Sequence, residues 1–526
     1  MHILNKMKMK GFIAQAFNLR NAAHPAKFAH CLVAASLFLL TELAYSDSGT
    51  WLANPVDNNW NNPANWSSGT VPTVDDTALF ESSTITNIEI PDGTSVGTIM
   101  FLEDASAYTI TALPGVGVGI NLGVTNNSNT EQNFVGAAEG SDAGSFTCFQ
   151  PTITGPIQFT QQATDVFTDF PPEVTFEIAG AGDAIFHNVG ANVSGGVGGH
   201  VNFFYLGTSA EEATIINDGA TVAGATGGST LFLFNKPSAG NATLIANSGS
   251  NGGGGGTITF ADASLGDTAR LEVFGNGYMD MSAHGGPSLS IGSIEGDGQI
   301  YLGKATLIVG TNSLSTTFSG VLHPGDPSGG SGTGFLSKMG TGSLSLTGAN
   351  LYTGGTTLTQ GSLVVSNRAG SGTGTGPVSV NVGTLGGSGI IAGAVTVGTG
   401  SGTGAFLTPG IGTNKQLTLT IQSALTFKSD ATYTYTFKAN KSRVRTDLVT
   451  ANGVTINGGT IAISSSSQNR LRRGTVLTII SNTSANPITG TFSNLADGAI
   501  VTVNGNNLQA SYEGGDGNDL TLTVVP

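Results

Sequence analysis

Lys-Met-Gly-Thr-Gly-Ser-Leu-Ser-Leu-Thr-Gly-Ala-Asn-Leu-Tyr-Thr-Gly-Gly-Thr-Thr-Leu-Thr-Gln-Gly-Ser-Leu-Val-Val occupies residues 338–365. Within it, Gly342-Ser343-Leu344-Ser345-Leu346 recurs as Gly361-Ser362-Leu363-Val364-Val365, and loosely downstream as Gly383-Thr384-Leu385. Leu344, Leu346 and Leu363, Val365 alternate with small or polar partners, which is the period-two mark of a strand. Two such similar strands so close in sequence read as neighbours in a stack, with Leu344 and Leu363 in contact in its core. Further strands are expected at Val378–Val382, at Ile390-Ile391 and at Val395–Val397, with glycines bounding them. No apolar run of period 3.6 and helix length follows residue 47.

Upstream, a longer unit repeats. Tyr205, Phe234 and Phe260 each stand four residues before a serine, Ser209, Ser238 and Ser264. Each serine leads through a short turn to an apolar stretch, at 213–216, 242–245 and 269–273. The spacings of 29 and 26 residues lie where self-similarity signals stacked arrays. A unit this small cannot bury its own apolar face. A β-sandwich would also use short strands and regular turns, but its successive hairpins need not resemble one another. The near-repeats therefore favour an all-β solenoid, a parallel β-helix, with Leu244 expected to sit over a counterpart in the next rung. Glycine and asparagine at its corners supply left-handed backbone at low cost.

Composition agrees. Glycine numbers 79 of 526 residues, and only 10% are charged, against about 25% in ordinary globular domains. Hydrophobic residues at 39% suffice for a core, which argues against disorder. The net charge of -15 repels phosphate backbones and excludes nucleic acid as an expected partner. Basic residues cluster twice, at Lys438, Lys441, Arg443, Arg445 and at Arg470, Arg472, Arg473. Either these are two solvated turns or they form a patch for an anionic polymer.

The N-terminus reads as an export signal: Lys6, Lys8, Lys10, Arg20 and Lys27 precede an apolar stretch from Cys31 to Leu43. Ala44-Tyr45-Ser46 places small residues at the -3 and -1 positions, so cleavage is expected between Ser46 and Asp47. The apolar stretch is shorter than the roughly 20 residues of a membrane span, and no other stretch is long enough. Cys31 opens that stretch instead of following it, which argues against a lipid-anchored cysteine. Its removal leaves Cys148 alone, without an intramolecular disulfide. Trp51, Trp60 and Trp66 all follow the cleavage site. They read as an N-terminal cap over the first rung, because terminal repeats of an array must be covered. The alternative is a sugar-stacking platform.

Residues 338–365 closely resemble the autotransporter-associated β-strand repeat. Ile291–Gly298, Leu385–Gly389, Leu407–Gly410 and the ending Tyr512–Val524 look like the usual flanks of that family. The resemblance implies a right-handed parallel β-helix passenger, displayed on or shed from a Gram-negative-type outer membrane surface. Such passengers usually precede a C-terminal membrane barrel. This sequence ends at Val524-Val525-Pro526, without a terminal aromatic strand or a C-terminal hydrophobic sorting segment. The expected organisation is a signal peptide at 1–46, a tryptophan-rich cap at 47–115 and β-helix repeats at 116–325. The autotransporter-associated repeat follows at 326–376, and C-terminal rungs with a cap at 377–526.

Motifs that carry chemistry are weak. Gly93-Thr94-Ser95-Val96-Gly97 fits G-x-S-x-G, but it reads as a turn between strands and not as a strand–turn–helix. Gly514–Asp519 is similar to a calcium nonapeptide, yet only one copy occurs where adjacent turns must share each ion. Gly303-Lys304 is followed by Ala305 and is no P-loop. His187, His200, His284 and His323 lack metal spacing. Glu211-Glu212 and Asp75-Asp76 are adjacent pairs, and neighbours on a strand point to opposite faces. No catalytic, cofactor-binding or metal-binding residue is assigned, and no cofactor is expected. The expected function is a non-catalytic secreted or cell-surface passenger acting in adhesion or as a scaffold. Its ligand would be a host, glycan or envelope surface component. The alternative is a polysaccharide-active β-helix enzyme, which needs carboxylates from separate rungs gathered at one groove.

Overall fold

The computed structural model describes residues 48–526, apart from 151, 412–414, 440–443 and 468. The signal segment and Cys31 lie outside the described residues, as do Lys441 and Arg443. From Gly49 to the strand Thr460–Ser465 the chain stacks as a parallel β-helix. The echo that opens the sequence reading fixes its register: Ser343–Leu346 pairs parallel with Ser362–Val365, and Leu344 sits on Leu363. The same column continues through Leu385, Leu407 and Tyr433, all buried. Side chains alternate along each strand, so one set points in and the next out.

Each turn of the helix visits up to three ladders. The first runs from Gly49–Thr50 through Thr77–Phe80 to Val321–His323. Single backbone bonds then carry it onward: Leu351 to Leu322 at 2.9 Å, Asn350 to Ser371 at 2.8 Å and Gly372 to Ile390 at 2.9 Å. It broadens again at Ile390–Ile391, Thr418–Ile421 and Leu448–Ala451. The second ladder runs unbroken from Asn87–Ile90 to Thr460–Ser465. The third consists at first of lone bridges joining Thr152, Gly180, Ser209, Ser238 and Leu265. From Ser288–Ile291 to Val454–Ile456 it widens into a sheet. Near the C-terminus the pairing turns antiparallel, in Val476–Asn482, Asn506–Gly514 and Asp519–Val525.

The core holds aromatic columns. Phe176, Phe203, Phe232 and Phe260 stack with centroids 5.0, 4.9 and 4.8 Å apart and tilts of 10° or less. Those distances are close to the strand spacing, so each ring covers the face of the next. A polar column accompanies them: Gln161, Asn188 and Asn217 share register at 0% exposure. Asn188 donates to Asn217 Oδ1 at 2.8 Å and to the Ser229 carbonyl at 2.9 Å.

The long repeat needs one correction. Thr214, Thr243 and Arg270 share register, as expected, and Leu244 sits on Leu271. Ser238, however, bridges Leu265 and not Ser264. Phe260 belongs to the core column over Phe232. It is not the counterpart of Tyr205 and Phe234, which stand at a corner. The third copy has a shorter corner, so a match by sequence offset slips there.

Trp51, Trp60 and Trp66 are 1%, 0% and 2% exposed and pack edge to face, with centroids 5.2 and 4.9 Å apart. Phe80 of the first full rung lies 5.9 Å from both Trp60 and Trp66. Asn59 forms a parallel bridge with Glu89, on the edge of Asn87–Ile90 away from Thr109–Ala112. Rings so deeply buried are not available as a sugar-stacking platform.

Candidate functional site

Three strands of the first ladder, Glu173–Glu177, His200–Phe204 and Ser229–Leu233, end at one corner. The residues that turn it are Ile178, Tyr205 and Phe234, placed one above another by register. All three have left-handed backbone, with φ of 63°, 74° and 67°. For residues other than glycine this region costs about 1–2 kcal/mol each, and a β-branched isoleucine is a clear outlier there. The corner has to be sharp because the chain then enters the lone-bridge ladder at Gly180, Ser209 and Ser238. Glycine or asparagine would serve with less strain. Instead the side chains are large, apolar and outward: Ile178 is 60% exposed, Tyr205 43% and Phe234 42%. Tyr205 and Phe234 stack at 5.9 Å with a tilt of 21°. Thr208 pins the corner, its hydroxyl donating to the Tyr205 carbonyl at 2.8 Å.

Beyond the corner lies a cleft of about 640 Å³ lined by residues that include Thr152, Asp183, Ser209, Glu211, Glu212 and Asn241. Here the expectation for Glu211-Glu212 fails. The pair lies at a turn, with Glu211 at φ 48°, so strand alternation does not separate the side chains. Both line the same cleft, with Asp183 of the preceding rung. Each carboxylate is engaged: Glu211 Oε2 accepts from the Gly182 amide at 2.9 Å, and Glu212 Oε1 from Asn241 Nδ2 at 2.6 Å. Asn241 Oδ1 accepts in turn from the Thr268 hydroxyl. The lining residues include no histidine, lysine or arginine. Sequence pattern missed this convergence because the three carboxylates come from two rungs and a turn.

Other sequence candidates fall apart from this corner. Ser95 lies within the strand Thr94–Phe101, not in a turn, and register shifts between Val96 and Thr98. The cleft beside it is lined by neither a histidine nor a carboxylate. Gly514–Asp519 joins two antiparallel strands, and Asp519 Oδ1 accepts from the Asn482 amide at 2.8 Å. Gly303-Lys304-Ala305 makes a turn between ladders. Asp76 folds back on Thr73, while Asp75 is exposed.

The four histidines stand separately. His187 Nε2 lies 2.5 Å from Asp218 Oδ2, and that hydrogen bond raises the imidazole and lowers the carboxyl. Burial holds His200 down at about 4, so its ring is neutral. His284 Nε2 donates to the Ser264 carbonyl at 2.9 Å, and Nδ1 accepts from the Gly286 amide at 3.2 Å. His323 stacks on Tyr301 at 4.6 Å. Among the described residues no three His, Cys, Asp or Glu side chains gather as a metal site. Cys148 is buried, and desolvation pushes its thiol up to about 12, which keeps it from acting as a nucleophile.

Residues 336–365 match the family model of the passenger-associated-transport-repeat. The chain carries a repeat of that family. In the helix the repeat covers the ladder strands from Phe335–Lys338 to Ser362–Val365. Its Lys338 is 1% exposed and directs Nζ at backbone carbonyls. The passenger-associated-transport-repeat ties the chain to passenger regions and with them to the cell exterior or surface. A comparison with curated proteins finds no match to the chain. No helix among the described residues is long and apolar enough to cross a membrane.

Proposed function

We propose that the protein is a non-catalytic passenger-type β-helix, secreted or held at the cell surface, that acts in adhesion through the Ile178–Tyr205–Phe234 corner. The observation that carries this reading is the set of exposed apolar side chains on strained backbone, repeated in register over three rungs. Exposed apolar patches mark interaction surfaces, and backbone strain concentrates at functional sites. The flat aromatic faces beside amide and carboxylate acceptors suit a hydroxyl-rich ligand such as a glycan. The test is glycan-array binding by the mature chain and by Tyr205→Asn/Phe234→Asn. Asparagine tolerates left-handed backbone, so the variant should melt no lower than the parent and yet lose binding. Equal binding by both proteins would refute the assignment of this edge.

The second reading, a polysaccharide-active enzyme, draws on Asp183, Glu211 and Glu212 at one cleft. Glycoside cleavage needs one carboxyl to donate a proton and another to act as nucleophile or base. Both glutamates already accept structural hydrogen bonds, and among the described residues no cationic group lines the cleft, which favours binding over turnover. Screens on common polysaccharides should therefore show no products. Reproducible cleavage that disappears in Glu211→Gln or Glu212→Gln would reverse this ranking.

A further inference from the structure

The charge of the chain is strongly uneven. Its net charge is -15, yet seven of its 19 lysines and arginines lie between 438 and 473, against one acidic residue, Asp447. Five of the seven are described, and the fold brings their two clusters together. Ala431–Ala439 pairs through Thr432–Phe437 with Thr460–Ser465 in the second ladder. Its end, Phe437–Ala439, forms an arm that pairs antiparallel with Val444–Thr446, which sets Lys438 directly opposite Arg445. Ser467 Oγ accepts from the Ala439 amide at 2.9 Å, and Asn469 Nδ2 donates to the Ala439 carbonyl at 2.8 Å. The segment carrying Arg470, Arg472 and Arg473 is thereby fixed beside the arm. All five side chains belong to exposed residues, and among the described residues none forms an ion pair. Asp447 does not neutralise them. It is 2% exposed, and its carboxylate accepts from the Leu417 and Thr436 amides at 3.0 and 3.1 Å.

Like charges directly opposite on paired strands destabilise the pairing, so local folding does not account for Lys438 facing Arg445. We infer that Lys438, Arg445, Arg470, Arg472 and Arg473 form a binding site for a linear acidic polysaccharide. A single slender chain can follow the basic end and stay clear of the acidic remainder. A broad anionic surface would meet that remainder and be repelled. This inference concerns a surface separate from the Tyr205 corner and does not rest on it.

Binding of the mature chain to a heparin oligosaccharide, to polygalacturonate, to neutral dextran and to phosphatidylglycerol vesicles tests the site. The two acidic polysaccharides should bind at low salt and weaken steeply toward about 0.15 M salt, while dextran stays unbound. Arg470→Gln/Arg472→Gln/Arg473→Gln should weaken that binding by about tenfold or more with an unchanged melting temperature. Lys304→Gln/Arg368→Gln, which removes the same kind of charge elsewhere, should leave it intact. The site is refuted by absence of binding at low salt or by equal loss in both variants. Vesicle binding as tight as that of the polysaccharides would also refute it, in favour of a membrane surface.

Discussion

At Lys338 the chain places an ammonium among apolar columns, with Nζ donating to the carbonyls of Met339 at 2.5 Å and Gly340 at 3.0 Å. Burial pulls its pKa from 10.5 down to about 8. In the unfolded chain the lysine stays protonated through that interval, so the unfolded state binds more protons there. Stability should rise with pH between these two values and level off below about 8, where both states carry the proton. Urea midpoints measured across that window should climb more steeply for the parent than for Lys338→Met; parallel curves would contradict the account. The His187–Asp218 pair has the opposite sense on its basic side. His187 is raised, so its contribution is complete below the ordinary 6.5 and disappears as pH rises through the higher folded value. Asp218 is lowered, so its contribution is complete above 3.8 and is lost as pH falls through the lower folded value. An NMR titration of the His187 ring should show an apparent pKa that drops in Asp218→Asn. At this scale the sequence was only partly legible. Reading Glu211-Glu212 as strand neighbours sent their side chains apart, because nothing local announces a left-handed backbone at glutamate. The exposed corner at Tyr205 and Phe234 was visible as a repeat, but its strain and outward direction depend on the lone-bridge ladder that follows it.

Elements stack here by register, and the energetic unit is the column of inward side chains. Phe203 is covered on one face by Phe176 and on the other by Phe232. Phe203→Ala should cost about 3–5 kcal/mol, because two neighbouring rings keep their positions and leave a cavity between rungs. Equilibrium unfolding in urea measures it, and a cost below about 1 kcal/mol would mean the column is not tightly packed. The strand pairing around Leu344 and Leu363 was legible because both rungs carry the same Gly-Ser-Leu lead and the same alternation. The phenylalanine column was not. Its members share a β-branched residue two positions earlier, in Val174-Thr175-Phe176, Val201-Asn202-Phe203, Thr230-Leu231-Phe232 and Ile258-Thr259-Phe260, but rungs of unequal length hide the alignment. The same inequality turned Ser264 into a false counterpart of Ser238. Corners can lose residues without disturbing the ladders, so offsets drift while strand register holds.

Over the whole molecule, the ladders have two ends that would otherwise expose apolar columns. We propose that the tryptophan-rich segment closes the first rung and the antiparallel strands from Val476 onward close the last. Trp60→Ala should then loosen Thr77–Phe80 and Asn87–Ile90 while leaving distant rungs intact, since each rung contacts only its neighbours. The measurement closest to the central claim is hydrogen exchange along the entire mature chain, for the parent and for Leu244→Asp. Leu244 lies over Leu271 and under Ile215 in one buried column, and an aspartate there buries an unpaired charge at a cost of several kcal/mol. A stacked helix predicts slow exchange in all three ladders of the parent. In the variant, protection should be lost around Thr214–Asn217, Thr243–Ala246 and Arg270–Val273 and retained toward both ends. Loss of protection everywhere at once, or protected islands at Tyr205, Phe234 and Phe260 that respond independently, would contradict it.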